Sequence, residues 1–175
     1  SISIIENSLS RSLCGSTRPG HFEGVCTVVL KLLNTLQPSD AIFGKKDYQQ
    51  LAIIKRLVRD LGVPVRIHGV DTVREPDGLA LSSRNIMLKP EHRKDASRIH
   101  RALLCARDIR ETGEQRPEVY LKIARKHLVE SAPPEMEIEY LEIIDRETLV
   151  PLAKVARPAL LATAATYDAV RLIDN

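Results

Sequence analysis

Residues 77–85 read DGLALSSRN and place two hydroxyls and a guanidinium side by side, on Ser82, Ser83 and Arg84. Hydroxyls donate to anionic oxygens, and a guanidinium forms a two-pronged bond to phosphate that an ammonium cannot reproduce. The same letters also suit a polar turn in which Asn85 caps a backbone group. A second stretch, FGKKDYQQ at residues 43–50, begins at the end of a short apolar run. Gly44 lets a backbone approach a ligand closely, and Lys46 offers a mobile cation for phosphate oxygens. Asp47 can accept from ribose hydroxyls, and Gln50 stands one turn on along the same face. Read more plainly, the stretch is a glycine turn, an Asp helix cap and two solvated lysines. Both stretches are compatible with binding phosphate oxygens, and each strengthens that reading of the other.

The remaining chemistry-bearing residues point elsewhere. His21 lies close to Arg18 ahead of a helix, where it can bind an anion or pack; packing or a dimer contact is expected. His68 alternates outward from a strand, and His92, His100 and His127 fall on charged helical segments, so all four are expected at the surface. No His-x-x-x-His or Cys-x-x-Cys pair supports a bound metal, and no metal-ligating residue is assigned. The common NTPase and dinucleotide glycine loops are absent, as is the nucleophile elbow of a hydrolase around Ser82. KRLVR at residues 55–59 suits the exposed face of an amphipathic helix.

Composition narrows the class. The chain has 175 residues, 43% hydrophobic and 28% charged, with no low-complexity run, as in an ordinary folded protein. Aromatic residues are only 3% with no Trp, so base-stacking platforms are scarce and no nucleic-acid partner is expected. The net charge of +3 lies wholly in residues 1–72, with nine Lys/Arg against six Asp/Glu; the rest balances at 17 against 17. The first part is thus the better suited to an anion. Three widely spaced cysteines, Cys14, Cys26 and Cys105, fit reduced thiols in a cytoplasmic protein. No apolar run approaches the roughly 18–20 residues of a membrane helix, so no membrane partner is expected. The opening SISIIENSLS runs directly into apolar residues without an initiator Met, as in an excised piece of a longer chain.

These residues need elements to hold them. Val25, Val28, Val29, Leu32, Leu33 and Leu36 recur at helical spacing and predict a helix over 25–36 with that stripe in the core, ended by Pro38. DAIFG suits a buried parallel strand, and Leu51, Ile54, Leu57, Val58 and Leu61 predict a helix from Asp47 stopped by Gly62. VPVRIHGV alternates as a strand with Pro64 at its start or on an edge. Helix, strand, helix, strand implies a doubly wound parallel sheet. Past Val70 the chain turns polar, and a domain boundary is expected near Val73, giving units 1–72 and 73–175. In the second, a long charged helix is predicted from Pro90 to about Glu111 and another over Pro117–Ser131. EIEYLEIID, ALLATAATY and VRLIDN then predict three strands in an antiparallel meander, with Asp168 and Ala169 as a short connection. The fold class is therefore α/β, a doubly wound parallel sheet followed by a small α+β domain.

Four segments, RPGHFEGVCTVVLKLLN, QPSDAIFGKKDYQQLAIIKRLVRDLGVPV, GVDTVREPDGLALSSRN and the final RLIDN, together closely resemble the pantoate-β-alanine ligase family, in order from about Thr17 to Asn175. The resemblance implies a cytoplasmic, dimeric ligase of coenzyme A biosynthesis that uses ATP and Mg2+. It further implies a partial Rossmann-like sheet of a nucleotidylyltransferase-type domain and a small α+β carboxyl-terminal lid. Pantoate would be adenylated with loss of pyrophosphate, and β-alanine would then displace AMP. LSSRN would be the counterpart of the KMSKS loop of class I aminoacyl-tRNA synthetases, with Leu81, Ser82, Ser83 and Arg84 at the nucleotide and its triphosphate. Phe43 and Gly44 would line the nucleotide, Lys46 its phosphates, Asp47 its ribose and Val73 its adenine. Gln50 would meet pantoate, and Val28 and Val29 would form an apolar wall beside it rather than core. Position 45 is Lys where the family usually has Glu, and Lys45 is expected to point outward. The family's amino-terminal half, with its H-x-G-H motif and the acidic Mg2+ ligands, has no counterpart in these residues, so a chain of low activity alone is expected. Two other readings remain: a different adenylating enzyme of the same superfamily, or a non-catalytic nucleotide-binding or assembly module.

Overall fold

A computed structural model describes residues 2–175, which divide into two compact units. The first runs through Asp71 and takes in Glu147–Leu149; the second comprises Thr72–Arg146 and Val150–Asn175.

The first unit opens with a 3-10 turn, Leu9–Arg11, and the short helix α1, Cys14–Thr17. Helix α2, His21–Leu36, follows Gly20, whose φ of 78° suits glycine. It ends where Gln37 turns left-handed and its N–H closes on the Leu33 carbonyl at 2.8 Å, just before Pro38. α2 starts earlier than expected and buries a different stripe. Phe22, Cys26 and Leu33 are inside, whereas Val28, Leu32 and Leu36 are 50%, 51% and 71% exposed, and Val25 and Val29 are half-buried. α2 carries two apolar stripes, and periodicity alone could not choose between them.

Strand β1, Asp40–Gly44, leads through a 3-10 turn into helix α3, Tyr48–Asp60, which returns to strand β2, Arg66–Val70. The strands are parallel, from Asp40 beside Arg66 to Gly44 beside Val70. α3 buries Leu51, Ile53, Ile54 and Leu57, but Leu61 is exposed. It stops at Gly62, at φ 61°, with the Val63 N–H bonded to the Val58 carbonyl at 3.0 Å. β1 is not the buried strand that DAIFG suggested. Among the described residues it has one neighbouring strand, β2, and Ile42 on its open face is 70% exposed. On the same face Asp40 accepts from Arg66 (2.8 and 2.7 Å) and pairs with the His68 Nε2 (2.7 Å), which holds its carboxyl below the usual range. Gln49, at the start of α3, is buried. Its amide donates to the carbonyls of Leu9 and Ser12, both at 2.7 Å, and so fastens the amino-terminal turns to α3.

In the second unit, Pro90 begins α4 (Pro90–Asp95), and α5 (Arg98–Asp108) follows after a break at Ala96–Ser97. A 3-10 turn to Thr112 and Gly113, at φ 76°, precede α6, Pro117–Val129. The single long helix expected from Pro90 is therefore two. The break has a tertiary cause: Asp95 accepts from Arg98 Nε at 2.7 Å and from the Tyr167 hydroxyl at 2.8 Å. Arg98, itself buried, donates to the carbonyls of Leu128, Glu130 and Ser131 at 3.1, 2.8 and 2.9 Å, satisfying the carboxyl end of α6.

Strands β3 (Met136–Asp145), β4 (Ala159–Tyr167) and β5 (Val170–Asp174) form the antiparallel meander, turning at Asp168 and Ala169. Ile99, Ala102, Leu103 and Ala106 of α5, Tyr120, Ala124 and Leu128 of α6, and Tyr167 of β4 share one core. His92 is a correction: it is 3% exposed, its ring lies against Tyr167, and its two nitrogens stand 3.6 Å from Glu135 and Asp168. His100 is also partly covered rather than at the surface. Among the described residues no helix is long and apolar enough to cross a membrane.

Two substitutions test this packing. Tyr167→Phe removes a buried bond to a charged acceptor and should lower unfolding free energy by about 1.5–3 kcal/mol, measured by urea denaturation. A change within error would mean that Asp95 is held by Arg98 alone. Gln49→Leu should cost about 1–3 kcal/mol by leaving two buried carbonyls without their donor, with faster amide exchange concentrated in residues 9–16. Unaltered exchange there would show that the amide is not the fastening.

Candidate functional site

Two clusters hold the residues singled out above, one in each unit. In the first unit, β1 and β2 end together at Gly44 and Val70. Lys45–Asp47 form a 3-10 turn from which α3 departs, so the strand ends and the amino end of a 13-residue helix lie on one continuous piece of chain. Phe43 is half-buried, Gly44 and Asp47 are exposed, and Lys46 and Gln50 are half-buried. Asp47 occupies the cap position, but its side chain makes no cap bond, so the plain helix-cap reading does not hold. The first N–H groups of α3 therefore lack a side-chain acceptor from the cap residue.

Gly44 has ordinary extended geometry (φ −74°, ψ 136°), and a Cβ built on it would meet nothing within 4 Å. Neither backbone conformation nor the chain's own packing demands glycine there. Gly69 differs: its Cβ would come within 2.8 Å of Leu51 Cδ2 and 3.5 Å of Lys45 Cγ, so glycine gives the Lys45 stem room to lie across β2. Lys45 does not simply point outward. Its ammonium pairs with Asp71 at 2.6 Å, which lowers the Asp71 pKa, so the added charge is locally balanced. Val28 and Val29 stand on α2, a separate element, the first exposed and the second half-buried.

In the second unit a hairpin presents the trio. The Leu81 N–H bonds to the Val73 carbonyl at 2.9 Å, placing two exposed apolar side chains opposite one another. Arg74 bridges Ala80, and the tip Glu75–Gly78 closes through Gly78 N–H to Glu75 carbonyl (2.9 Å), with Gly78 at φ 92°. Arg74 donates to the Gly78 carbonyl (3.0 Å) and to both Asp174 oxygens (2.6 and 2.9 Å), tying the hairpin to β5. Arg93 grips Asp77 at 2.5 Å, depressing that carboxyl.

Beyond Leu81 the chain makes the 3-10 turn Ser83–Met87. Ser82 is its cap, accepting from the Arg84 N–H at 3.2 Å, and Asn85 is buried with its amide on the Ala80 carbonyl at 3.2 Å. The polar-turn reading is thus correct for Ser82 and Asn85, whose groups serve the backbone. Ser83 and Arg84 are left exposed, and among the described residues Arg84 has no ion pair. This is a fixed frame displaying one hydroxyl and one guanidinium. Gln49 and Arg74 were missed because their partners, carbonyls 40 and 37 residues away and a carboxylate 100 residues away, leave no local pattern.

His21 packs as expected, against Phe22 and 3.1 Å from Arg18. Among the described residues no group of three or more His, Cys, Asp or Glu is arranged to hold a metal.

Comparison with known proteins gives these clusters a setting. The family model for pantoate-beta-alanine ligase matches residues 2–175. The chain is 54% identical over 175 residues to a pantothenate synthetase of Akkermansia muciniphila and 47% identical over 172 residues to one of Thermosipho africanus. It is covered to 100% and 98% in the two cases and spans 61% of each relative. A crystal structure of pantothenate synthetase from Thermus thermophilus superposes with a TM-score of 0.94 at 44% identity, over 99% of this chain and 62% of that one. Pantoate-beta-alanine ligase from Francisella tularensis, complexed with beta-gamma ATP and beta-alanine, matches at TM-score 0.70 and 29% identity, over 99% of this chain and 57% of that one. The match runs essentially end to end on this side, and on that basis the chain belongs to the pantoate-beta-alanine ligase family.

Proposed function

We propose that the chain is the carboxyl-terminal portion of an ATP-dependent ligase joining pantoate to β-alanine. The chemistry runs in two transfers. A pantoate carboxylate oxygen attacks the α-phosphorus of ATP, the bond from that phosphorus to the bridging oxygen breaks, and pyrophosphate departs with the electron pair. The β-alanine amine then attacks the acyl carbon of pantoyl adenylate, the C–O bond breaks, AMP leaves, and the amine's extra proton is lost to solvent. Neither step needs a covalent side chain; both depend on positioning and on neutralising phosphate charge.

The observation that carries this reading is the exposed Ser83 and Arg84 on a turn held by the Ser82 cap and by the Asn85 amide on the Ala80 carbonyl. In this account Ser82, Ser83 and Arg84 receive the triphosphate, with Leu81 and Val73 beside the base. In the first unit Lys46 neutralises phosphate charge, Asp47 accepts from the ribose, and Phe43 and Gly44 line the nucleotide. The open space over Gly44 supports that role, since nothing in the chain itself excludes a side chain there. Gln50 meets pantoate, and exposed Val28 with half-buried Val29 offers it an apolar wall. Residues 1–72 serve as part of the nucleotide and pantoate domain, and 73–175 as a lid.

Mg2+ would offset charge on the triphosphate. No acidic cluster among the described residues suits it, so its ligands are assigned to residues outside this chain and no step is routed through it. The complete enzyme is taken to be a cytoplasmic homodimer. The β-alanine and ATP named for the Francisella structure support the substrate assignment.

In the complete enzyme, Lys46→Ala and Arg84→Ala should each lower pantoate-dependent pyrophosphate exchange by about 10²- to 10³-fold, the scale of one lost charge-stabilising donor. Unchanged exchange in either variant removes that residue from the mechanism, and exchange driven by another carboxylic acid but not by pantoate would reassign the substrate. The chain on its own should release little AMP from pantoate, β-alanine and ATP. Robust turnover would contradict the division of the site.

A further inference from the structure

The second unit holds a cavity of about 370 Å3 that includes none of the residues assigned above. It opens between α5, α6 and the β3–β4 strands. Its floor is apolar, built from Leu103 and Leu104 of α5, Ile143 of β3 and Leu161 of β4. Its rim is mostly cationic, with Arg74, Arg107, Arg110 and Arg157; no Asp or Glu is among the described residues that line it, and the last residue, Asn175, stands at its edge.

The four guanidiniums are not equivalent. Arg74 is bonded to Asp174 (2.6 Å), Arg157 to Asp145 (2.7 Å) and Arg107 to Asp108 (2.8 Å). Arg110 has no carboxylate or hydrogen-bond partner among the described residues. His100 also lines the cavity, and its Nδ1 is buried without a hydrogen bond, 3.8 Å from Asp174. Burial and the nearby Arg74 push its pKa down, so at neutral pH it adds a polar edge but no charge. The result is an apolar hollow, within the roughly 300–1,000 Å3 range of small-molecule sites, with one uncompensated cation at its mouth.

We infer that this cavity binds a small amphipathic monocarboxylate, its tail on the Leu103, Leu104 and Leu161 floor and its carboxylate on Arg110. The apolar floor removes hydrocarbon from water. A guanidinium fork matches carboxylate geometry, and one unpaired cation matches one negative charge rather than a polyphosphate. The inference does not rest on the ligase reading, because none of the residues proposed to hold ATP or pantoate takes part.

The test is calorimetric titration of the chain with sodium octanoate, alongside 1-octanol and inorganic phosphate as probes of each half of the site. Octanoate should bind saturably and at least about tenfold more tightly than either, the scale of one charged hydrogen-bonded contact. Arg110→Ala should weaken octanoate about tenfold while leaving 1-octanol unchanged. Leu104→Trp, which fills the floor, should abolish both. If Leu104→Trp does not fold, the rim substitution Arg110→Glu, remote from the core, must still lower octanoate affinity further than Arg110→Ala. Absence of saturable octanoate binding, equal affinity for 1-octanol, or indifference to the Arg110 substitutions would each overturn the inference.

Discussion

The ion pair between Arg74 and Asp174 decides where the phosphate-compatible loop stands. Asp174 is almost wholly buried, with 2% of its side chain exposed, and a buried carboxylate must be paired or it destabilises the fold. Both its oxygens accept from Arg74, and one also takes the Asn175 N–H at 2.8 Å. Breaking a dry pair of this kind typically costs about 3–5 kcal/mol, and less where, as for Arg74, 21% of the partner side chain stays wet. The pair joins the hairpin at 73–81 to the last strand. It gives a physical reason for two sequence segments, REPDG and RLIDN, to occur together although 100 residues separate the charges.

A buried guanidinium, that of Arg98, organises the rest of that unit. Arg98 closes the carboxyl end of α6 and, through Asp95, is joined to Tyr167 on the sheet. Helices and sheet thus meet at one polar knot with each of its charges paired. Burial and the adjacent Asp95 raise the pKa of the Tyr167 hydroxyl, so it remains a donor. The hairpin and the helix–sheet junction therefore use the same device, an arginine that satisfies several acceptors at once, while Arg84 stays exposed.

Much of the architecture was legible because it is local. The helix–strand–helix–strand order, the Pro90 and Pro117 helix starts, the Gly62 stop and the Asp168–Ala169 turn follow from periodicity and backbone preference. What sequence reading missed depended on distant partners. His92 reads as a surface residue among charges, yet Glu135, Asp168 and Tyr167 enclose it. Nothing near residue 96 predicts a helix break, because its cause lies with Tyr167 and the end of α6. On α2 the period was right and the buried face was not, since two stripes compete. In the two clusters, the exposure of Arg84 and Gly44 follows from residue type. The roles of Arg74, which ties the hairpin to β5, and of Gln49, which fastens the amino-terminal turns to α3, do not.

In the proposed function two segments, Gly44–Asp47 and Ser82–Arg84, meet the nucleotide, with Lys46 and the Ser82–Arg84 trio at its phosphates. Amide hydrogen exchange of the complete enzyme with and without ATP tests that most directly. ATP should slow exchange in both segments while leaving α6 unaffected. Saturating ATP with no added protection in either segment would contradict the account.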